Sequence, residues 1–230
     1  MTKKNRGAVS VWCLAFAPVW PAFADEVQIP ASKDNTLYAD PRGSLSNAKG
    51  QHLFVGTNRA GNVRRGLIAF DIAGNIPAGS SISEVRLALS ISFSHLIGPT
   101  VELRRGLSDW GEGTSMATGA EGAGAPATSG DATWLHTFWD SGLWKTPGGD
   151  FADDPSAAID VAQFGRFTWS SVQMAADVQG WLDAPESNFG WVVLVADETA
   201  RSSAKQLDSR ENSDPALRPM LTVAFTPSDS

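Results

Sequence analysis

Between residues 83 and 94 the chain alternates without interruption: Val85, Leu87, Leu89, Ile91 and Phe93 are apolar, while Arg86, Ala88, Ser90 and Ser92 stand between them. A period of two over this length fits a strand with one buried face, because successive side chains of a strand point to opposite sides. Such a face demands a second layer to cover it. Upstream, residues 65–72 place Ile68, Phe70 and Ile72 on one face of another strand. Between the two, Asn75-Ile76-Pro77-Ala78-Gly79 is turn chemistry, since proline fixes φ and glycine permits positive φ.

Shorter strand candidates occur at residues 26–29, 36–38, 52–55, 100–105, 165–169, 190–196, 205–209 and 219–225. Many short strands separated by Gly, Pro and Asn point to an all-β sandwich or barrel. One segment departs from that pattern. In residues 171–182, Met174, Val178, Trp181 and Leu182 recur at helical spacing, Ser170 or Ser171 can serve as N-cap, and Asp183-Ala184-Pro185 ends the run. This predicts one short helix plugging an end or edge of the sandwich. Residues 111–130 hold six glycines among alanine, serine and threonine, which reads as a long loop or flexible excursion. Residues 133–155 that follow are dense in Trp, Gly and Asp.

The N-terminus carries Lys3, Lys4 and Arg6, then an apolar run, then Ala22-Phe23-Ala24 before Asp25. That is the signature of a signal peptide cleaved after Ala24. Pro18 and Pro21 interrupt the run, which argues against a retained anchor. The expected product, residues 25–230, is one domain that lacks cysteine, because Cys13 lies inside the signal. It is expected outside the cytoplasm, extracellular or periplasmic, with no membrane insertion after cleavage. Loss of the three signal cations takes the formal charge from −7 to −10. An acidic surface of this kind excludes phosphate backbones as natural partners.

The segments 64–72 and 76–87, 108–113, 130–134, 177–182 with 188–191, and 208–211 with 218–223, taken in this order, resemble the DNRLRE-type domains. Arg64-Arg65-Gly66-Leu67-Ile68-Ala69-Phe70-Asp71-Ile72, with Ile76-Pro77-Ala78-Gly79, Ile82 and Val85-Arg86-Leu87, is similar to their "basic–x–L–x–x–F–D … IP–G–x–I–x–A–x–L" core. Ser108-Asp109-Trp110-Gly111-Glu112-Gly113 and Gly130-Asp131-Ala132-Thr133-Trp134 resemble their Trp-x-Glu and "aTW" segments. Asp177-Val178-Gln179-Gly180-Trp181-Leu182 with Asn188-Phe189-Gly190-Trp191 is similar to the "V-x-x-W … N-x-G" helix and strand. Asp208-Ser209-Arg210-Glu211 with Arg218-Pro219-Met220-Leu221-Thr222-Val223 resembles the closing "S-x-E … P-x-L-x-V" strands. Asp34-Asn35-Thr36-Leu37 is a partial echo of the tract that names the family. The likeness spans about residues 33–226 and implies an extracellular jelly-roll β-sandwich. Some members of that family bind carbohydrate, alginate included.

No catalytic residue is assigned. There is no G-x-S-x-G, no H-E-x-x-H and no Cys/His cluster, and His52, His95 and His136 lie far apart. Glu112 and Asp131 are the carboxylate pair to test for a hydrolase or lyase; the simpler reading is that Glu112 bonds backbone N–H groups of its own loop. A structural calcium would draw on the loop acids Asp150, Asp153 and Asp154, or on Asp34 and Asp40. For ligand binding, indole rings offer the largest stacking face for sugar C–H groups. Trp169, Trp181 and Trp191 lie in periodic segments and belong to the core, and Trp110 and Trp134 are expected to pack too. Trp139 and Trp144, around the Asp140-Ser141-Gly142 turn, remain as the exposed pair. Arg59, Arg64 and Arg104 supply cations toward an anionic polysaccharide, with Arg65 and Arg105 beside them, although the net charge favours a neutral one. The expectation is a secreted, non-catalytic polysaccharide-binding module. The alternative is a structural or adhesive protein that meets a surface protein through the same aromatics.

Overall fold

The computed structural model describes residues 24–94, 98–161 and 163–228. The apolar run of the expected export signal lies outside these residues, as does His95. Strand β1 is Asp25–Tyr38, and a two-residue β2 (Leu45–Ser46) leads to β3 (His52–Thr57), β4 (Val63–Phe70), β5 (Ser81–Ser94) and β6 (Thr100–Arg105). The glycine- and tryptophan-rich middle carries only the short β7 (Ala125–Pro126), β8 (His136–Phe138) and β9 (Gly142–Leu143). Then come β10 (Ala157–Asp160), β11 (Gly165–Ser170), α1 (Val172–Asp183), β12 (Trp191–Val195), β13 (Lys205–Asp208) and β14 (Met220–Thr226).

The pairings between these strands are antiparallel, and eight of the strands take the order of a jelly roll. One sheet runs β3-β13-β5-β11 and the other β4-β12-β6-β10, the two interleaved four-stranded layers of that architecture. The first and last strands extend it. Residues 25–30 of β1 pair with β14, which itself pairs with the first half of β5. After an irregularity between Ala31 and Lys33, the rest of β1 pairs with β4 in the opposite sheet. One continuous strand therefore replaces the two separate candidates at 26–29 and 36–38.

Side-chain alternation divides the apolar residues between two cores. Trp191, Val193 and Val195 of β12, with Ile68 and Phe70 of β4, face between the sheets onto Val85, Leu87, Leu89 and Trp169. Val192 and Leu194, with Leu67 and Ala69, face the other way. Both faces of β12 are buried, so it reads as the unbroken apolar run expected of a doubly covered strand. Helix α1 starts at Ser171, whose Oγ accepts from the Met174 N–H at 3.0 Å. It buries Met174, Val178, Trp181 and Leu182 in the inter-sheet core, with the Trp181 and Trp191 rings edge to face 4.6 Å apart.

The middle segment is the main correction to the sequence reading. Residues 111–124 form the expected long loop, without helix or strand, but the segment is no loose excursion: it folds over the outer face of the second sheet. Trp110, Ala132 and Trp144 cover Leu37, Leu67, Ala69, Val192 and Leu194 there, with Trp134 and Phe151 at the border. Its apolar residues are few but large. Two of its carbonyls are held from the sandwich: Asn35, wholly buried on β1, donates to the Glu112 and Ala132 carbonyls and accepts from the Thr36 and Asn47 N–H groups and the Ser46 hydroxyl.

Candidate functional site

Alternation in β5 places Phe93 on the buried face, but the ring is 44% exposed. Against β13, Gln206 faces Phe93 and Leu207 faces Ile91, so β5 carries one extra residue at Ser92. A bulge of this kind reverses which side the next residue points to. Phe93 thus leaves the core and lines an open groove of about 220 Å³ together with Phe54, Asn58, Arg59, Arg64, Ala120, Gly122, Lys205 and Gln206. Among the described residues the lining holds three cations and no carboxylate. Two of the predicted ligand residues, Arg59 and Arg64, are thereby brought together with aromatic rings.

Each cation is held differently. Arg59 is exposed on the turn after β3. Arg64 is largely buried; its Nε and Nη2 donate to the Gly122 carbonyl at 3.0 and 2.6 Å, its Nη1 donates to the Asn62 carbonyl, and its guanidinium lies 5.5 Å from the Tyr38 ring centre. Lys205 is buried, donates to Ser94 Oγ at 2.5 Å, and has its pKa lowered by that burial. The far wall of the groove belongs to the folded-over segment and is fixed by Glu121. That residue adopts positive φ of 59°, and its carboxylate accepts from the N–H groups of Gln51 and His52. Its carbonyl accepts from the Tyr38 hydroxyl.

The other predicted residues lie elsewhere. Trp144 is 7% exposed, packs in the outer core and donates Nε1–H to the Thr133 carbonyl at 2.8 Å, so it forms no exposed pair with Trp139. Trp139 is half-buried, edge to face with His136 at 4.8 Å. Arg104 is occupied by Glu102 and by the carbonyls of Ala152 and Asp153. Arg65 clamps Glu198 through two bonds of 2.8 and 2.7 Å and lies against Trp134 and Phe151. Arg105 is 3.6 Å from the buried Asp177 carboxylate.

The expected calcium ligands do not gather. Asp150 is buried and holds its own loop, accepting from Ser108 Oγ and the N–H groups of Lys145 and Thr146, whereas Asp153 and Asp154 are exposed. Asp40 closes a turn with Ser44, whose N–H and hydroxyl hold the carboxyl below the usual range. Asp131 is buried and accepts from Thr128 and Ser115, so it does not face Glu112 across a cleft. Glu112 does bond a backbone N–H, but that of Asp34 on β1 at 2.9 Å rather than one in its own loop.

Among the described residues one carboxylate group of three comes together: Asp34, Glu112 and Glu211, each with an oxygen within 4.8 Å of the others. They derive from three segments singled out above, 34–37, 108–113 and 208–211. Arg210 donates Nη1 to both Glu112 oxygens and to Glu211, and Lys49 bonds both glutamates. Burial, and then the Glu211 charge, push the Asp34 carboxyl well above the usual carboxylate range; burial and Glu112 also raise Glu211. No protein-family model matches the chain, and a search of curated proteins returns no match.

Proposed function

We propose that this protein is a secreted, non-catalytic binding module for polysaccharide, and that the groove between Phe93 and the folded-over segment receives one sugar unit of the chain. The observation that carries the reading is the lining itself: a partly exposed phenyl ring beside Arg59, Arg64 and Lys205, with no carboxylate among the described lining residues, on a chain whose acids outnumber its bases. A ring face takes the C–H side of a sugar, and guanidinium groups take oxygens at its edge. This local charge favours a carboxylated sugar over the neutral glycan that net charge alone suggests. Arg64 is pre-ordered by its carbonyl partners, so little side-chain entropy is lost on binding. The resemblance to DNRLRE-type jelly rolls, some of which bind carbohydrate, supports the same class.

Affinity electrophoresis in gels containing uronate-rich or neutral polysaccharides tests the proposal. The wild type is expected to be retarded by the uronate gel, with retardation lost in Arg59→Ala and Phe93→Ala and kept in Trp139→Ala. Equal mobility of all variants in every gel would remove the reading.

A further inference from the structure

The carboxylate group of Asp34, Glu112 and Glu211 is separate from the groove and does not depend on what the groove binds. Asp34 is 1% exposed; its Oδ2 accepts from the Arg210 N–H at 2.7 Å, but its Oδ1 has no hydrogen-bond partner among the described residues. Glu211 Oε2 is likewise buried without a partner. Two orphaned anionic oxygens in one cluster need an explanation, because buried acceptors are nearly always satisfied. Nor is the charge balanced. Three carboxylates face two cations, Lys49 and Arg210, which leaves one negative charge uncompensated in a partly desolvated place.

We propose that this cluster is a calcium site, with Asp34 and Glu211 as ligands through their orphaned oxygens, Glu112 as the third, and Lys49 as the group the ion displaces. Lys49 is suited to leaving. Its side chain is 34% exposed against 14% for Glu112 and 19% for Glu211, so it lies on the solvent side of the cluster. Replacing its single charge with a divalent ion, while Arg210 stays, brings the group to neutrality. All the donors are hard oxygens, which suits calcium. Three carboxylates leave room for water in its coordination shell, so the affinity expected is that of extracellular modules, with a dissociation constant of about 10⁻⁴–10⁻³ M. The site would tie β1, the folded-over segment and the turn after β13 together across the edge of the sandwich.

The test is thermal unfolding and calorimetric titration of the protein with calcium chloride, after removal of divalent ions by EDTA and dialysis. The wild type is expected to gain about 3–8 °C in Tm at 10 mM calcium. Asp34→Asn, which keeps shape and the bond to the Arg210 N–H, should lose that gain. Lys49→Ala, which removes the competitor, should bind calcium about tenfold more tightly or better. Absence of any calcium-dependent shift in both the wild type and Lys49→Ala overturns the proposal. Undiminished binding by a folded Asp34→Asn, or weaker binding by a folded Lys49→Ala, overturns it as well. If the wild type instead gains stability on acidification alone and ignores calcium, a shared proton rather than a metal satisfies the orphaned oxygens, and the proposal fails.

Discussion

Replacing Asn35 by alanine isolates what holds the folded-over segment to the sandwich. The amide is wholly buried and takes part in five hydrogen bonds, at 2.7 Å from the Thr36 N–H, 2.9 Å from Ser46 Oγ, 3.1 Å from the Asn47 N–H, and 3.2 and 3.4 Å to the Glu112 and Ala132 carbonyls. Not all of these partners are stranded by the mutation. The Ser46 hydroxyl also reaches the Ala132 carbonyl at 3.0 Å, so those two groups can satisfy each other. Two buried N–H donors remain without an acceptor, and each costs about 1–3 kcal/mol. The Glu112 carbonyl is only partly enclosed and adds less. Asn35→Ala should therefore cost about 4 kcal/mol in urea unfolding, a large part of the 5–15 kcal/mol typical of a domain. Hydrogen exchange should show where: amides of residues 110–133 should lose protection before those of β5 and β14. A loss below about 1 kcal/mol, or loss of protection spread evenly over the chain, would refute the assignment of Asn35 as the anchor.

Tyr38 is the single tyrosine of the chain, which makes a spectroscopic titration unambiguous. Burial raises its pKa well above the ordinary 10, so the folded protein holds that proton more tightly than the unfolded chain does, and this contribution to stability is lost as pH rises past 10. Phenolate absorbance should appear near pH 10 in urea, but in the native protein only above that, together with unfolding; a native titration at pH 10 would contradict the burial. Trp144→Ala should cost about 3–5 kcal/mol by opening a cavity in the outer core, while Trp139→Ala should change stability by less than about 1 kcal/mol. Thermal denaturation of the two variants checks the contrast.

The inter-sheet core was legible because its strands carry their orientation in a period of two, and α1 because its apolar spacing, serine cap and closing proline agree. The folded-over segment was not. Trp110, Ala132 and Trp144 have no common period, and the groups that hold the carbonyls of Glu112, Ala132 and Gly148, Asn35 and Arg65, come from β1 and β4. A tryptophan in a glycine-rich stretch offers no parity by which to tell a covered face from an open one, which is why Trp144 was expected outside. Phe93 failed in the opposite sense: the alternation was genuine up to Ile91, and the bulge that ends it depends on β13, more than a hundred residues away. Arg59 and Arg64 were visible as cations, but the groove they line with Phe93 arises only when β3, β5, β13 and residues 120–122 meet. The carboxylate group was half visible. Its members stand in segments recognised separately, but nothing in their spacing says that they converge.

The pairing of β1 with β14 joins residues nearly two hundred positions apart, Asp25 opposite Phe225 and Pro30 opposite Met220. Closing so long a loop is entropically costly before any contact repays it, and folding slows as the mean separation of contacting residues grows. While a chain of this kind emerges from a ribosome or a translocation pore, β1 can meet β4 early, but its first six residues must wait for the last strand. Until then the edge of β5 that β14 covers lies open over residues 81–88, a hydrogen-bonding edge that a second chain could pair with instead. Aggregation during synthesis should thus depend on how promptly the final strand arrives, and a chain cut before residue 220 should expose that edge permanently.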